Sequence, residues 1–326
     1  MKLFKRILAL ALIAALAMAF AACDNGKKDD GKYVIGISQL MVHDALDAAT
    51  KGFKDAVIEE LGEENVEFLF QEAAGSPDLC GTIASNFVNQ KVDLILANAT
   101  PALQAASNAT LQIPILGTSI TEYGVALGID NFSGLVGGNI SGTSDLAPLD
   151  QQAQMIIDIV PTAKTVGIIY CSAEANSAYQ VKVVKEYLEA KSITVKTYAF
   201  ADSNEISTIA QKAASECDAL YVPTDNQAAT AATTIYGAMA NNLKPLIAGE
   251  EATCKGCGVA TLTISYYDLG YATGKMAAKI LKGEEKIENM EIEYAATFTK
   301  KYNATICAEL GIDTAALEAA GYVAIQ

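Results

Sequence analysis

Two successive stretches of this chain run through strands and helices in the same order, and that repeat constrains the fold more than any other feature. In the first stretch, residues 33–37 form a short apolar run of buried-strand type. Helical spacing follows from Ala45 to Leu61, with Leu46, Ala49, Phe53, Ala56, Val57 and Leu61 on one face. Then come a strand over 66–70, a helix over 78–90 and a strand over 92–97. Thr100 and Pro101 open another helix as N-cap and first-turn residue, and a strand over 113–117 closes the unit. The second stretch answers with a strand over 165–170, a helix over 175–190, a strand over 194–198 and a helix over 207–215. Residues 218–222 then match 93–97 at an offset of 125, while Pro245 matches Pro114 and Gly167 matches Gly36 at an offset of 131. Such alternation predicts an α/β protein with two similar doubly wound parallel-sheet lobes and a ligand cleft between them.

Ligands of open parallel sheets sit beyond the carboxyl ends of the strands. Ser38, Gln39, His43 and Asp44 follow the first strand; Asn98, Thr100 and Pro101 follow the third; Thr118, Ser119 and Thr121 follow the fourth. Thr143, Ser144 and Asp145 lie between the lobes. The second lobe contributes Glu174, Asn176 and Ser177, then Thr224, Asp225 and Asn226, then Glu250. Each residue type also suits a helix cap. Their recurrence at strand after strand favours a polar site.

Charge limits what that site can hold. Residues 2–6 carry three cations, a run from Ile7 to Phe20 is apolar, and Ala21-Ala22-Cys23 follows, the pattern of a secretory signal. Cys23 is the expected lipidation point, and the polar stretch after it an expected flexible tether. Cleavage before Cys23 leaves 20 cations against 38 anions, a net charge of −18. Nucleic acid is then excluded as a partner, because phosphate binding needs clustered cations. The lone arginine, Arg6, leaves with the signal, so an anionic ligand group must go to hydroxyls, helix N-terminal amides or lysine.

Enzyme and metal templates fit poorly. The segment 270–276 is one residue short of a phosphate loop and has Met276 where the hydroxyl belongs. The glycines around 134–138 lack dinucleotide spacing. A serine triad would have to use His43, the only histidine. Cys254 and Cys257 have half-site spacing without a second pair, which favours a local disulfide or free thiols packed in a loop. No catalytic residue, metal or cofactor is expected.

Several segments, among them Asn98-Ala99-Thr100-Pro101, Gly142-Thr143-Ser144-Asp145, Glu174-Ala175-Asn176-Ser177, Pro223-Thr224-Asp225-Asn226, Ala248-Gly249-Glu250 and Ser265-Tyr266-Tyr267-Asp268-Leu269-Gly270, closely resemble the ABC-transporter substrate-binding proteins of the tryptophan/tyrosine type. The resemblance runs from about Tyr33 to Gly311 and departs at Ser265, where many relatives carry aspartate. It implies a type I periplasmic-binding-protein fold, an aromatic amino acid as ligand, and a membrane permease and ATPase as partners. A receptor's sensing subunit, or a nucleoside, sugar or aliphatic amino acid as ligand, are the alternatives.

Physical chemistry distributes such a ligand as follows. Its carboxylate goes to Thr100, Thr143 and Ser144, its ammonium to Asp145, Asp225 and Glu250, and its ring to apolar or tyrosine surface such as Tyr266. The expected division is a signal peptide over 1–22, a lipid-anchored tether over 23–32, a first lobe over 33–145 plus about 266–290, and a second over 146–265 plus about 291–326.

Overall fold

The computed structural model describes residues 31–325; the expected signal peptide, the lipidation site Cys23 and most of the tether lie outside them. Two sheets carry the sequence repeat. In the first, β2 (Val66–Glu72), β1 (Tyr33–Gln39), β3 (Leu94–Asn98), β4 (Ile115–Ile120) and β5 (Ile140–Ser144) lie side by side in that order, with β11 (Glu293–Tyr294) beyond β5. In the second, β7 (Thr194–Phe200), β6 (Thr165–Cys171), β8 (Ala219–Val222), β9 (Leu246–Ala248) and β10 (Ala260–Thr263) repeat that order, followed by β12 (Thr299–Tyr302) and β13 (Val323–Ala324). Only β10 and β12 pair antiparallel among the described strands. Both sheets are doubly wound, as the alternation requires.

Helices cover both faces. The first lobe has α1 (Asp44–Leu61), α2 (Pro77–Gln90), α3 (Thr100–Ala109) and α4 (Tyr123–Leu127); the second has α5 (Leu149–Ile159), α6 (Ala175–Ala190), α7 (Ile206–Glu216), α8 (Asn226–Thr230), α9 (Ala232–Ala238) and α10 (Glu251–Cys257). Local chemistry sets their ends. Ser76 accepts from the Leu79 amide ahead of Pro77, and Lys91 in a left-handed conformation stops α2. Thr100 is not the N-cap of α3; Ala99 is, at φ 87°, and Thr100 is the first helical residue. Cys254 and Cys257 lie on α10 rather than in a loop, and all six described cysteines are buried free thiols.

The chain crosses between lobes three times. Asp145 to Pro148 links β5 to α5, and Ile264-Ser265 links β10 to α11 (Tyr266–Leu281), which packs back on the first lobe. The third crossing falls between Tyr294 and Thr299, later than the expected 291. Ile287, Met290 and Ile292 are buried in the first lobe's core, and β11 pairs with β5.

α11 lies directly against α1. A Cβ on Gly52 would stand 2.0 Å from the Tyr267 carbonyl oxygen, one on Gly270 1.9 Å from that of Ala49, and one on Gly274 2.5 Å from that of Phe53. The glycines of the phosphate-loop lookalike are therefore a helix-packing surface. The N-termini of both helices are thereby held at the carboxyl edge of the first sheet. No helix among the described residues is long and apolar enough to cross a membrane.

Candidate functional site

The residues that follow the strands of both sheets meet in a closed cleft. A cavity of about 10 Å³ lies there, walled by both lobes. That is about the size of one water-sized sphere, so the lobes are drawn together. His43, Ser119, Asp145 and Tyr266 come from the first lobe and hinge; Asn176, Thr224, Asp225, Asn226 and Glu250 come from the second. All nine were expected from sequence.

Unpaired polar atoms single out this cavity. Eight buried side-chain nitrogen or oxygen atoms lack a partner among the described residues, and four of them belong to this wall: His43 Nδ1, Ser119 Oγ, Asp145 Oδ1 and Asn176 Oδ1. Buried polar atoms are nearly always paired, so their convergence marks where a ligand's polar groups would go. A larger pocket of about 320 Å³ opens beside it against the hinge and shares Ala45, Glu250 and Tyr266. Glu251 and Lys301 in its lining already satisfy each other at 2.6 Å.

Local irregularity builds the first-lobe wall. Pairing between β4 and β5 shifts register between Gly117 and Ile120, and Ser119 adopts φ 56°. Such a bulge re-aims a side chain, here at a cost of roughly 1–3 kcal/mol for a serine in the left-handed region. The strand expected to end at Gly117 therefore runs to Ile120, with its irregular residue facing the cleft. Asp145 sits where β5 gives way to the hinge, its amide donating to Ile120 O at 3.1 Å. The Tyr266 hydroxyl donates to its Oδ2 at 2.9 Å. Burial pushes the Asp145 carboxyl up to about 6, while the hydrogen bond from Tyr266 holds it lower than burial alone would.

Carboxylates on the second-lobe side serve the backbone. Asp225 accepts from the Ala228 amide at 2.8 Å and the Cys171 amide at 2.6 Å, capping α8 and tying it to the end of β6. Glu250 caps α10 through the Ala252 and Thr253 amides. Glu174 braces α8 from outside it, accepting from the backbone amides of Asn226 and Gln227, each at 3.1 Å. Burial raises both Glu174 and Asp225, and the charge of Asp225 adds to the rise at Glu174.

Seven expected residues do not line the cavity. Gln39 spends its amide on Met41 O, Asp47, Thr50 and Asn98 inside the first lobe. Thr143 is bonded to Thr273 at 2.8 Å, and Ser144 donates to Thr121 O at 2.9 Å, which fixes the hinge. Thr100 and Pro101 are buried at the start of α3. Glu174 and Ser177 stand one layer behind, with the Ser177 hydroxyl accepting from the Asn176 side-chain nitrogen at 3.4 Å. Conversely, Ala45, Leu46 and Ala229 supply apolar wall, and Thr121 joins the polar part. The three apolar residues sit in the first turns of helices after strands, a positional signal that a search for polar groups passes over.

Among the described residues no group of three or more His, Cys, Asp or Glu side chains could hold a metal ion. The family model described as ABC transporter substrate binding protein matches residues 34–319. A tyrosine-binding protein of Clostridioides difficile is 35% identical over 86% of this chain and 85% of its own length. The structure of an ABC domain in complex with L-Trp from Streptococcus pneumonia superposes with a TM-score of 0.82 at 33% identity, covering 89% of this chain and 100% of that one. A ligand-free, open substrate-binding protein with adhesive properties from Clostridium difficile gives 0.68 at 36% identity, covering 90% of this chain and 100% of that one. The chain belongs to the ABC transporter substrate-binding protein family, a family that binds solutes and does not transform them.

Proposed function

We propose that this protein is the extracytoplasmic, lipid-anchored binding component of an ABC importer, which captures an aromatic L-amino acid by lobe closure and presents the closed form to a permease and ATPase. The observation that carries this reading is the set of unpaired atoms converging from both lobes on one cavity. Asp145 Oδ1 is a carboxylate oxygen. Asn176 turns its amide nitrogen to Glu174 and to Thr224 O, each at 3.1 Å, so its unpaired Oδ1 is also an acceptor. No lysine lines the wall. Two acceptors, one of them charged, suit an ammonium group.

The ligand's carboxylate has a complementary place. His43 precedes α1 without a side-chain cap bond, and Ala45 and Leu46 of the first turn line the cavity. Free first-turn amides of a long helix favour an anion, and the Ser119 hydroxyl stands on the same wall. The better superposition on the L-Trp complex than on the open relative, at similar identity, supports reading this conformation as the closed one. Closure follows from a ligand that touches both lobes and so favours the state in which it can do so.

Titration of ligand-stripped protein with phenylalanine, tyrosine and tryptophan by calorimetry tests the reading. We expect one molecule bound per chain with affinity near micromolar, about −8 kcal/mol, a smaller radius of gyration on binding, and recovery of intact ligand. Tight binding of a sugar or nucleoside with no heat from any aromatic amino acid would overturn the ligand assignment. Membrane release of a Cys23→Ala variant that still binds ligand tests the anchor.

A further inference from the structure

His43 occupies the N-cap of α1, where a serine or aspartate would ordinarily bond the helix, yet its ring makes no such bond. It reaches across the cleft instead, placing Nε2 3.2 Å from Asn226 Oδ1 in the other lobe. Nδ1 is buried, unpaired and in the cavity wall. Which ring nitrogen carries the proton decides what His43 can say to a ligand.

The neighbours answer that question. Glu174 Oε2 receives three donors: the Asn226 amide N–H at 3.1 Å, the Asn226 side-chain nitrogen at 2.7 Å and the Asn176 side-chain nitrogen at 3.1 Å. Ionised Glu174 offers acceptors only, so Oε2 takes all three donors. The NH2 of Asn226 is thereby fixed toward Glu174, and its carbonyl oxygen toward His43. A carbonyl oxygen only accepts, so Nε2 must carry hydrogen. In the neutral ring Nδ1 is then a lone pair aimed at the ligand space.

We propose that His43 determines specificity in this cleft: its Nδ1 accepts a hydrogen bond from a ring-borne N–H or O–H of the ligand, and Glu174 and Asn226 are positioning residues that set the accepting tautomer when the lobes close. The inference rests on the amino-acid-binding reading given above. An ammonium is better served by the charged Asp145. A neutral imidazole with the apolar Ala229 on the same wall suits the polar edge of an aromatic ring. Indole and phenol both carry such a donor and a plain phenyl ring does not. The site therefore selects tryptophan or tyrosine over phenylalanine, because phenylalanine would leave Nδ1 buried and unpaired.

The single histidine makes the test unambiguous. Nitrogen-15 NMR of histidine-labelled protein saturated with tyrosine or tryptophan should show the neutral ring protonated at Nε2. Protonation at Nδ1, or a doubly protonated ring at neutral pH, would overturn the proposal even if no variant folds. An Asn226→Ala protein should lose the tautomer preference, and a fixed tautomer there would overturn the positioning role. In calorimetry, tyrosine or tryptophan should bind the wild type about tenfold or more tighter than phenylalanine, and His43→Leu should bring that ratio to within about threefold. Equal binding of all three by the wild type overturns this inference and leaves the proposed function standing. An equal loss for all three in His43→Leu would place His43 on the amino-acid head group and also overturn it. Binding of none of the three overturns the reading on which it rests.

Discussion

Tyr266 donates its hydroxyl to Asp145 Oδ2 at 2.9 Å, joining the first residue of α11 to the first hinge crossing. The bond leaves Asp145 Oδ1 as a buried, unpaired carboxylate oxygen at the cleft. Tyr266 and Thr224 of the second lobe line the same cavity. The Tyr266 ring packs in a small buried cluster with Ala45, Ala49, Ile264 and Leu269 and also lines the cavity.

Asp145→Asn should therefore weaken binding of an aromatic amino acid by about 2–5 kcal/mol, the cost of leaving an ammonium buried without its counter-charge. The ligand-free protein should lose no thermal stability, because the substitution removes a charge that burial already disfavours. Calorimetry paired with thermal melts on stripped protein reads both. An unchanged affinity would take Asp145 out of the site.

Asp225→Ala should behave in the opposite way. Both of its oxygens are engaged by backbone amides, of Ala228 and Cys171. Removing them leaves buried donors unpaired and uncaps α8, at about 1–3 kcal/mol. Urea unfolding of the ligand-free protein should show that loss directly. Any drop in affinity should track the loss of order in α8 rather than exceed it.

Gly270→Ala puts a methyl where the Ala49 carbonyl oxygen now stands. The two helices cannot both keep their places, and overpacking of this kind costs about 1–3 kcal/mol. Because α1 and α11 carry His43 and Tyr266 at their starts, affinity should fall along with the unfolding midpoint. Gly81→Ala on α2, where an added Cβ meets nothing within 4 Å, should leave both unchanged or slightly raise stability.

Acidity should act on the closed state in a defined direction. Asp145 titrates near 6 when buried, against an ordinary value of about 3.9. Between those values the closed form holds a proton that the open or unfolded chain has released, so its stability falls as pH rises through that window. Burial of Glu174 and Asp225 adds in the same sense. Moving from about pH 7.5 to 5 should then favour the closed ligand-free form, seen as a smaller radius of gyration. Affinity for an ammonium ligand should fall over the same window, with protons released on binding, because the ligand needs Asp145 ionised. Calorimetry in two buffers of different ionisation heat measures that release.

The succession of strands and helices, the two-lobe repeat and the polar strand ends were legible in the sequence because each depends on local periodicity. Nine of the sixteen expected site residues line the cavity, since a parallel sheet always presents its carboxyl edge to the ligand. Gln39, Thr143 and Ser144 were indistinguishable from them by type and position. Only packing showed that their hydrogen bonds are spent inward, on Thr50, Thr273 and Thr121. The 270–276 segment looked like a phosphate loop until its glycines were found against α1.

What the sequence determined by itself was therefore the class of the fold, the edge of each sheet where chemistry gathers, and the absence of arginine from any site beyond Arg6. The tertiary structure decided which carboxylate is a cap and which is free. Asp145 and Asp225 are the same residue type after comparable strands, and one has an unpaired oxygen while the other has two backbone amides. That difference arises from contacts between residues as far apart as Asp145 and Tyr266, or His43 and Asn226. Hydrogen bonding is a property of pairs, and pairs this far apart in sequence exist only once the chain has folded.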